Sequence, residues 1–156
     1  MAASNKIPFP QADDMNKILK IINIDVEEKL LDKKVLCVIL GDITERQVQY
    51  YINAAQYLDI IDFNKKFTAF GQELRKSNQY DLIIKLSQKI ISKEIFGIAF
   101  FSELVLGTKL TKEDVIGLMR KENLFGAQSI YDRRSQTVIK WLYWIKSNTN
   151  LNDLIK

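Results

Sequence analysis

Arginine, glutamine and asparagine are the side chains that make bidentate contacts to guanine or adenine edges. Arg46, Gln49 and Asn53 place all three types within one predicted helix. With Val48 and Ile52 as its buried direction, Glu45, Arg46, Gln49, Tyr50 and Asn53 point outward. Thr44 opens the helix, because Thr44-Glu45-Arg46-Gln47 has the form of a capping box. Lys65 and Lys66 follow on a turn and suit phosphate contact. Together these residues offer recognition of a nucleic-acid duplex. The plainer reading is a solvated outer face, the default of any surface helix.

A second group lies near the end of the chain. With Val138 as the buried direction, Tyr131, Arg134, Trp141, Leu142 and Ile145 fall on the inner side of a long helix. Ser129, Arg133, Gln136 and Lys140 then point outward. Two arginines at the start of a helix oppose its dipole. Phosphate contact accounts for Arg133 and Lys140. Arg134 lies near the apolar stripe and reads as a structural ion pair. Trp141 reads as core, and Trp144 as domain packing.

Reaction chemistry finds little to use. The 156 residues include no histidine and one cysteine, Cys37. That excludes Ser-His-Asp and Cys-His catalysis, His-ligated metals, Cys-rich zinc sites and an intramolecular disulfide. The sequence carries no Gly-rich phosphate loop and no nucleophile elbow. Cys37 sits inside an apolar helix and reads as a small core residue. The expectation is a binding protein with no catalytic residues, no metal site and no cofactor.

Lys plus Arg total 23 against 19 Asp plus Glu, a net charge of +4, with an isoelectric point near 9.1. A mildly basic chain permits nucleic-acid binding without requiring it. No apolar run reaches the roughly 18 residues of a membrane span. The first ten residues lack the apolar core of a secretory signal. With a lone thiol, a cytoplasmic protein without a membrane partner is expected.

The elements that must hold these residues can be read along the chain. Pro8 and Pro10 make residues 1–12 an extended arm. Asp13 and Asp14 start a helix over 14–23, with Met15, Ile18, Leu19 and Ile22 as its apolar stripe. Residues 25–29 form a polar link with helical character. A helix over 33–40 ends at Gly41-Asp42, and the capped helix covers 45–58. Two short apolar runs, 60–63 and 67–70, flank Asn64-Lys65-Lys66 and predict a small β-hairpin. Helices over 70–76 and 79–93 follow. The almost wholly apolar 95–106 reads as a buried helix, and 112–121 as another. Ser129 serves as N-cap of a last helix to about 146, and 147–156 are a polar turn and tail.

Helix, tight turn, capped helix and basic-tipped hairpin make a helix-turn-helix with a wing. The fold class is therefore mostly α. A winged helix-turn-helix domain, 13–76, precedes a second helix-turn-helix-like unit, 77–146, and one small β-hairpin wing is the only sheet expected.

Several motifs in this order resemble a known family. They are Pro8-Phe9-Pro10 with the paired acids, 44–51 followed by Ala54-Ala55-Gln56-Tyr57-Leu58, and 68–73. Arg133-Arg134-Ser135-Gln136-Thr137-Val138 and Trp141-Leu142-Tyr143-Trp144-Ile145 complete the set. Over residues 7–146 the chain resembles a winged-helix module of bacterial defence systems, of the kind attached to type II restriction endonucleases. The resemblance implies sequence-specific binding of double-stranded DNA, with a nuclease domain or subunit as a partner. It does not imply cleavage by this chain. Asp14 with Glu27-Glu28-Lys29 imitates the acid, spacer and Glu-X-Lys of such nucleases, but its flanks read as helix and no sheet would hold the carboxylates together. The chain then reads as a specificity domain of a larger enzyme or as a stand-alone binder. The alternatives are a protein-interaction module docking to a nuclease or ATPase, and a transcriptional regulator.

Overall fold

A computed structural model describes residues 7–25, 32–121 and 128–155, with the side chains of residues 128 and 129 outside that description. The chain is mostly helical, and the described residues form nine α-helices. They divide into two compact units, one through Asn78 and one from Gln79.

The first unit contains α1 (Met15–Ile22), α2 (Lys33–Ile39), α3 (Glu45–Tyr57) and α4 (Ala69–Lys76). Asp14 caps α1 by accepting a hydrogen bond from the Asn16 N–H at 2.9 Å, and it pairs with Lys17 at 3.2 Å. Residues 27–29, the other part of the nuclease-like spacing, lie outside the described residues. Met15, Ile18, Ile21 and Ile22 are buried, on a helix that packs against α3 and α4. Leu36, Leu40, Val48, Ile52, Ala55, Leu58, Ile60 and Leu74 complete the core. Arg75 donates to the Ile22 carbonyl at 2.9 Å, tying α4 to the end of α1. The N-terminal arm is docked too, with the Phe9 ring 5.8 Å from Tyr57.

Between α2 and α3 the chain turns sharply. Gly41 and Asp42 both take positive φ, +99° and +58°, and the Ile43 N–H reaches back to the Cys37 carbonyl at 3.1 Å. Two successive left-handed residues end α2 without a longer loop, and glycine removes the steric cost at the first. Cys37 is only half-buried.

The expected two-stranded hairpin is not formed. A single antiparallel bridge, Ile61 to Phe67, stands in its place. The Asp62 N–H donates to the Lys66 carbonyl at 2.8 Å, and the Asp62 carboxylate accepts from the Lys66 N–H at 2.9 Å. Lys65 takes a positive φ of 61°. The reversal is thus completed within five residues. Thr68 then commits the following run to helix. Its side chain accepts from the Gly71 N–H at 3.0 Å, capping α4, and it donates to the carbonyls of Asp59 and Ile60. The end of the second apolar run, Ala69 and Phe70, therefore falls in the first turn of α4.

The second unit contains α5 (Gln79–Ser92), α6 (Glu94–Leu106), α7 (Lys112–Lys121), α8 (Gln128–Asn148) and α9 (Leu151–Leu154). Trp141 is fully buried and stacks on Phe96 at 5.0 Å. Leu82, Leu86, Ile90, Val115, Met119, Val138 and Ile145 surround that pair in the core. Thr111 and Asp114 cap α7 reciprocally, with N–H to oxygen distances of 2.9 and 3.1 Å. These bonds hold the Asp114 carboxyl below its ordinary range.

Three expectations differ here. First, α6 is buried on one side only, through Ile95, Phe96, Ala99, Phe100 and Glu103, while Ile98, Phe101, Leu104, Val105 and Leu106 are exposed. Second, α8 begins at Gln128, so Ser129 lies within its first turn rather than capping it. Third, the tail forms a short helix, because Asn150 caps α9 and Gln88 donates to the Leu154 carbonyl at 3.0 Å. Residues 26–29 of the expected polar link lie outside the described residues. No helix among the described residues is long and apolar enough to cross a membrane.

Candidate nucleic-acid interface

The capping box on α3 fixes where its outer face begins. The Gln47 N–H donates to Thr44 Oγ1 at 3.2 Å, and the Thr44 N–H donates to Gln47 Oε1 at 3.0 Å. Two of the backbone donors at this end are thereby satisfied. Thr44→Ala is expected to cost about 0.5–2 kcal/mol of stability, as loss of an N-cap does. A urea titration followed by circular dichroism checks this, and an unchanged midpoint would contradict it.

Val48, Tyr51, Ile52, Ala54 and Ala55 face the core of the unit. Opposite them, Arg46, Gln49, Tyr50 and Asn53 share one face, spaced by three and four residues. Glu45 and Arg46 are exposed at the N-terminal end, and Gln49, Tyr50 and Asn53 are half-buried. The residues on this face are paired with one another. Arg46 Nε donates to the Tyr50 hydroxyl at 3.2 Å, and its guanidinium carbon is 5.9 Å from the centre of the Tyr50 ring. Gln49 Nε2 donates to Asn53 Oδ1 at 2.8 Å. These pairs hold the polar heads in place on the helix surface. They are the part of the arrangement that residue types alone do not announce.

Lys65 and Lys66 sit on the reversal after α3, Lys65 half-buried and Lys66 exposed. Phe63 beside them is 52% exposed, which puts an aromatic ring and two cations on one short turn. The sequence reading overlooked Phe63 because the hairpin pattern treated it as a strand residue.

Behind this face, two phenols carry α3's inner side. The Tyr51 hydroxyl accepts from the Asp14 N–H at 3.2 Å. Burial pushes the Tyr51 phenol above its ordinary 10.0, the Asp14 and Asp13 carboxylates add to that, and the Asp14 hydrogen bond opposes it. Burial also pushes the Tyr57 phenol well up. A raised folded pKa contributes stability that is complete below the unfolded value near 10 and is lost as pH rises through the folded value. Unit one is therefore expected to unfold in alkali above about pH 10, with Tyr51 and Tyr57 ionising only as it opens. Absorbance at the phenolate band, compared with helical ellipticity in Tyr51→Phe and Tyr57→Phe, measures this. Ionisation of both phenols ahead of helix loss would refute it.

In the second unit, Arg133, Gln136 and Lys140 are exposed along one face of α8. The Ser129 side chain lies outside the described residues. Arg134 is half-buried, and burial pushes its guanidinium down. Lys112 and Asp132 join α7 to α8 at 3.5 Å. Trp144 is half-buried and Tyr143 exposed.

Beyond Lys140 the face continues into a cavity of about 250 Å³ lined by Glu103, Lys109, Leu110, Ile139, Lys140, Tyr143 and Lys146. Glu103 is buried there, accepting from the Leu110 N–H at 3.0 Å and pairing with Lys146. The Lys109 ammonium lies 4.8 Å from the centre of the Tyr143 ring. Sequence reasoning missed Lys109, Tyr143 and Lys146. The three-residue step from Lys140 to Tyr143 was the available signal for one of them.

Among the described residues, no group of His, Cys, Asp or Glu is arranged to hold a metal ion. What both faces offer is amide, guanidinium and ammonium groups, which bind by hydrogen bonding and charge. A family model described as Domain of unknown function (DUF7226) matches residues 17–150. No curated protein and no solved structure matches the chain.

Proposed function

The chain belongs to the DUF7226 family, and from that starting point we propose that it binds double-stranded DNA, reading sequence with the outer face of α3. The observation that carries the reading is the shared face of Arg46, Gln49, Tyr50 and Asn53 on a helix whose N-terminus is capped. In this reading α2, the turn at Gly41 and Asp42, and α3 act as a helix-turn-helix, with α3 in the major groove. Arg46, Gln49 and Asn53 contact base edges. Thr44 and Glu45 mark the groove-facing end, and Tyr50 steadies Arg46. Lys65 and Lys66 contact a flanking phosphate. Ser129, Arg133, Gln136 and Lys140 provide a second contact along α8. The role is recognition in a restriction-modification or other bacterial defence protein of the cytoplasm. Cleavage falls to a separate nuclease domain or subunit.

Fluorescence anisotropy with a pool of random 20–30 bp duplexes, at low and moderate salt, tests the proposal. Binding with a steep negative dependence on salt supports it, because each neutralised phosphate releases counterions. Sequencing the retained duplexes then gives the site. Absence of binding at low salt overturns it. A second reading, a protein-interaction module, is favoured by the exposed apolar side of α6. It gains if substitutions there, and not at Arg46, Gln49, Asn53 or Arg133, abolish function in the folded protein.

A further inference from the structure

A buried carboxylate is costly unless it is paired and hydrogen-bonded. The second unit keeps one, Glu103, whose side chain is 7% exposed. Its two oxygens serve different elements. Oε1 accepts from the Leu110 N–H at 3.0 Å, on the link between α6 and α7, and Oε2 pairs with Lys146 of α8. Apolar side chains would join α6, the link and α8 at least as well. What the charged pair adds is one fixed, charge-balanced wall of the cavity of about 250 Å³. The rest of the lining is of two kinds. Leu110, Ile139 and the Tyr143 ring are apolar, and Lys109 and Lys140 are exposed cations. Neither lysine has a carboxylate partner among the described residues. The Lys109 ammonium is held over the Tyr143 ring instead, 4.8 Å from its centre.

We propose that this cavity binds a small organic carboxylate whose apolar body is about one ring in size. Ligand sites combine apolar walls with a few placed polar groups. Here the walls are apolar, the one negative charge is already matched by Lys146, and the two charges left over are positive. That combination calls for an anionic head on an apolar body. Size sets the body, because an engineered cavity of about 150 Å³ in another protein holds benzene. The larger volume here has room for a ring and its carboxylate. The carboxylate lies toward Lys109 and Lys140, and the ring against Leu110 and Ile139. Phosphate fits less well. Phosphate sites are built on free backbone N–H groups, and the Leu110 N–H at this cavity is already given to Glu103.

Duplex binding plays no part in this proposal or in its test. The full chain is titrated with sodium benzoate at constant ionic strength, and backbone amide shifts are followed by NMR. Saturable shifts are expected at Leu110, Ile139 and Tyr143, with a Kd of about 1 mM or lower, as suits so small a ligand. Benzamide, of the same shape without the charge, should bind about tenfold more weakly. Lys109→Gln should weaken benzoate about tenfold, through loss of a charged hydrogen bond. Lys109 is exposed, so ellipticity should be unchanged. Ile139→Phe, which fills the cavity, should abolish binding; if it unfolds the chain, Lys109→Gln decides alone. Shifts that do not saturate by about 20 mM overturn the proposal. So does benzamide or inorganic phosphate binding as tightly as benzoate, and so does full benzoate affinity in folded Lys109→Gln.

Discussion

Replacing Arg46 with alanine is expected to weaken duplex binding by about 1–3 kcal/mol, roughly 10- to 100-fold, and to relax preference at one base position. Arg46 stands in the first turn of α3, where a cation is disfavoured by the helix dipole. An acceptor on a base edge or a phosphate relieves that cost. Its guanidinium is already aligned by the Tyr50 hydroxyl and ring, so little side-chain freedom is lost on binding. The folded protein should barely register the change, because Arg46 is exposed and such substitutions fall within about 0.5 kcal/mol. Lys66→Ala is the comparison. As a phosphate contact it should weaken all sequences alike and reduce the salt slope by about one. Anisotropy titrations on a selected site and a scrambled duplex separate the two patterns. Undiminished affinity in Arg46→Ala would remove α3 from the interface.

The second large effect concerns stability. Helix propensity alone says that Gly71→Ala, inside α4, should gain about 1 kcal/mol. The structure says the opposite. A Cβ on Gly71 would stand 2.1 Å from the Ile60 carbonyl oxygen and 3.1 Å from the Phe67 ring. The first is backbone, held in place by the hydrogen bond from the Thr68 N–H at 3.0 Å. It cannot move aside without opening the turn that carries Lys65 and Lys66. The expected cost is about 1–3 kcal/mol or more, that of forcing atoms into a filled space. Urea unfolding of Gly71→Ala should show a lower midpoint with an unchanged slope. A raised midpoint would mean that α4 sits further from Ile60 than described.

Much of the first unit was legible because its signals are local. Asp14 and Thr44 announce their helices by residue type and position, and Val48 with Ile52 orient α3 correctly. The hairpin was misread because two short apolar runs around a polar tip suit a strand pair as well as a turn. Thr68 decided between them, through bonds to Asp59, Ile60 and Gly71 that its own neighbours do not reveal. For α6 the sequence pattern and the structure disagree in an informative way. Composition says that the helix is covered on all sides, and the structure leaves Ile98, Phe101, Leu104, Val105 and Leu106 exposed. On the candidate interface, the outward residues followed from helical period. Their mutual hydrogen bonds depended on rotamers, and the cavity beside Lys140 depended on bringing 103 and 109 together with 140, 143 and 146.

The hydrogen bond between Gln49 and Asn53 bears on how a target would be found. On the proposed duplex, an amide that meets the wrong base need not lie unsatisfied in the groove, because its neighbour already supplies a partner. Unsatisfied buried groups are what would make each wrong position costly to occupy and slow to leave. On the proposed reading, a chain moving along unrelated sequence would keep these two amide groups bonded to each other while phosphate charge held it. A matching base edge would have to replace the bond between Gln49 and Asn53, so selectivity on the proposed duplex would be set by that exchange.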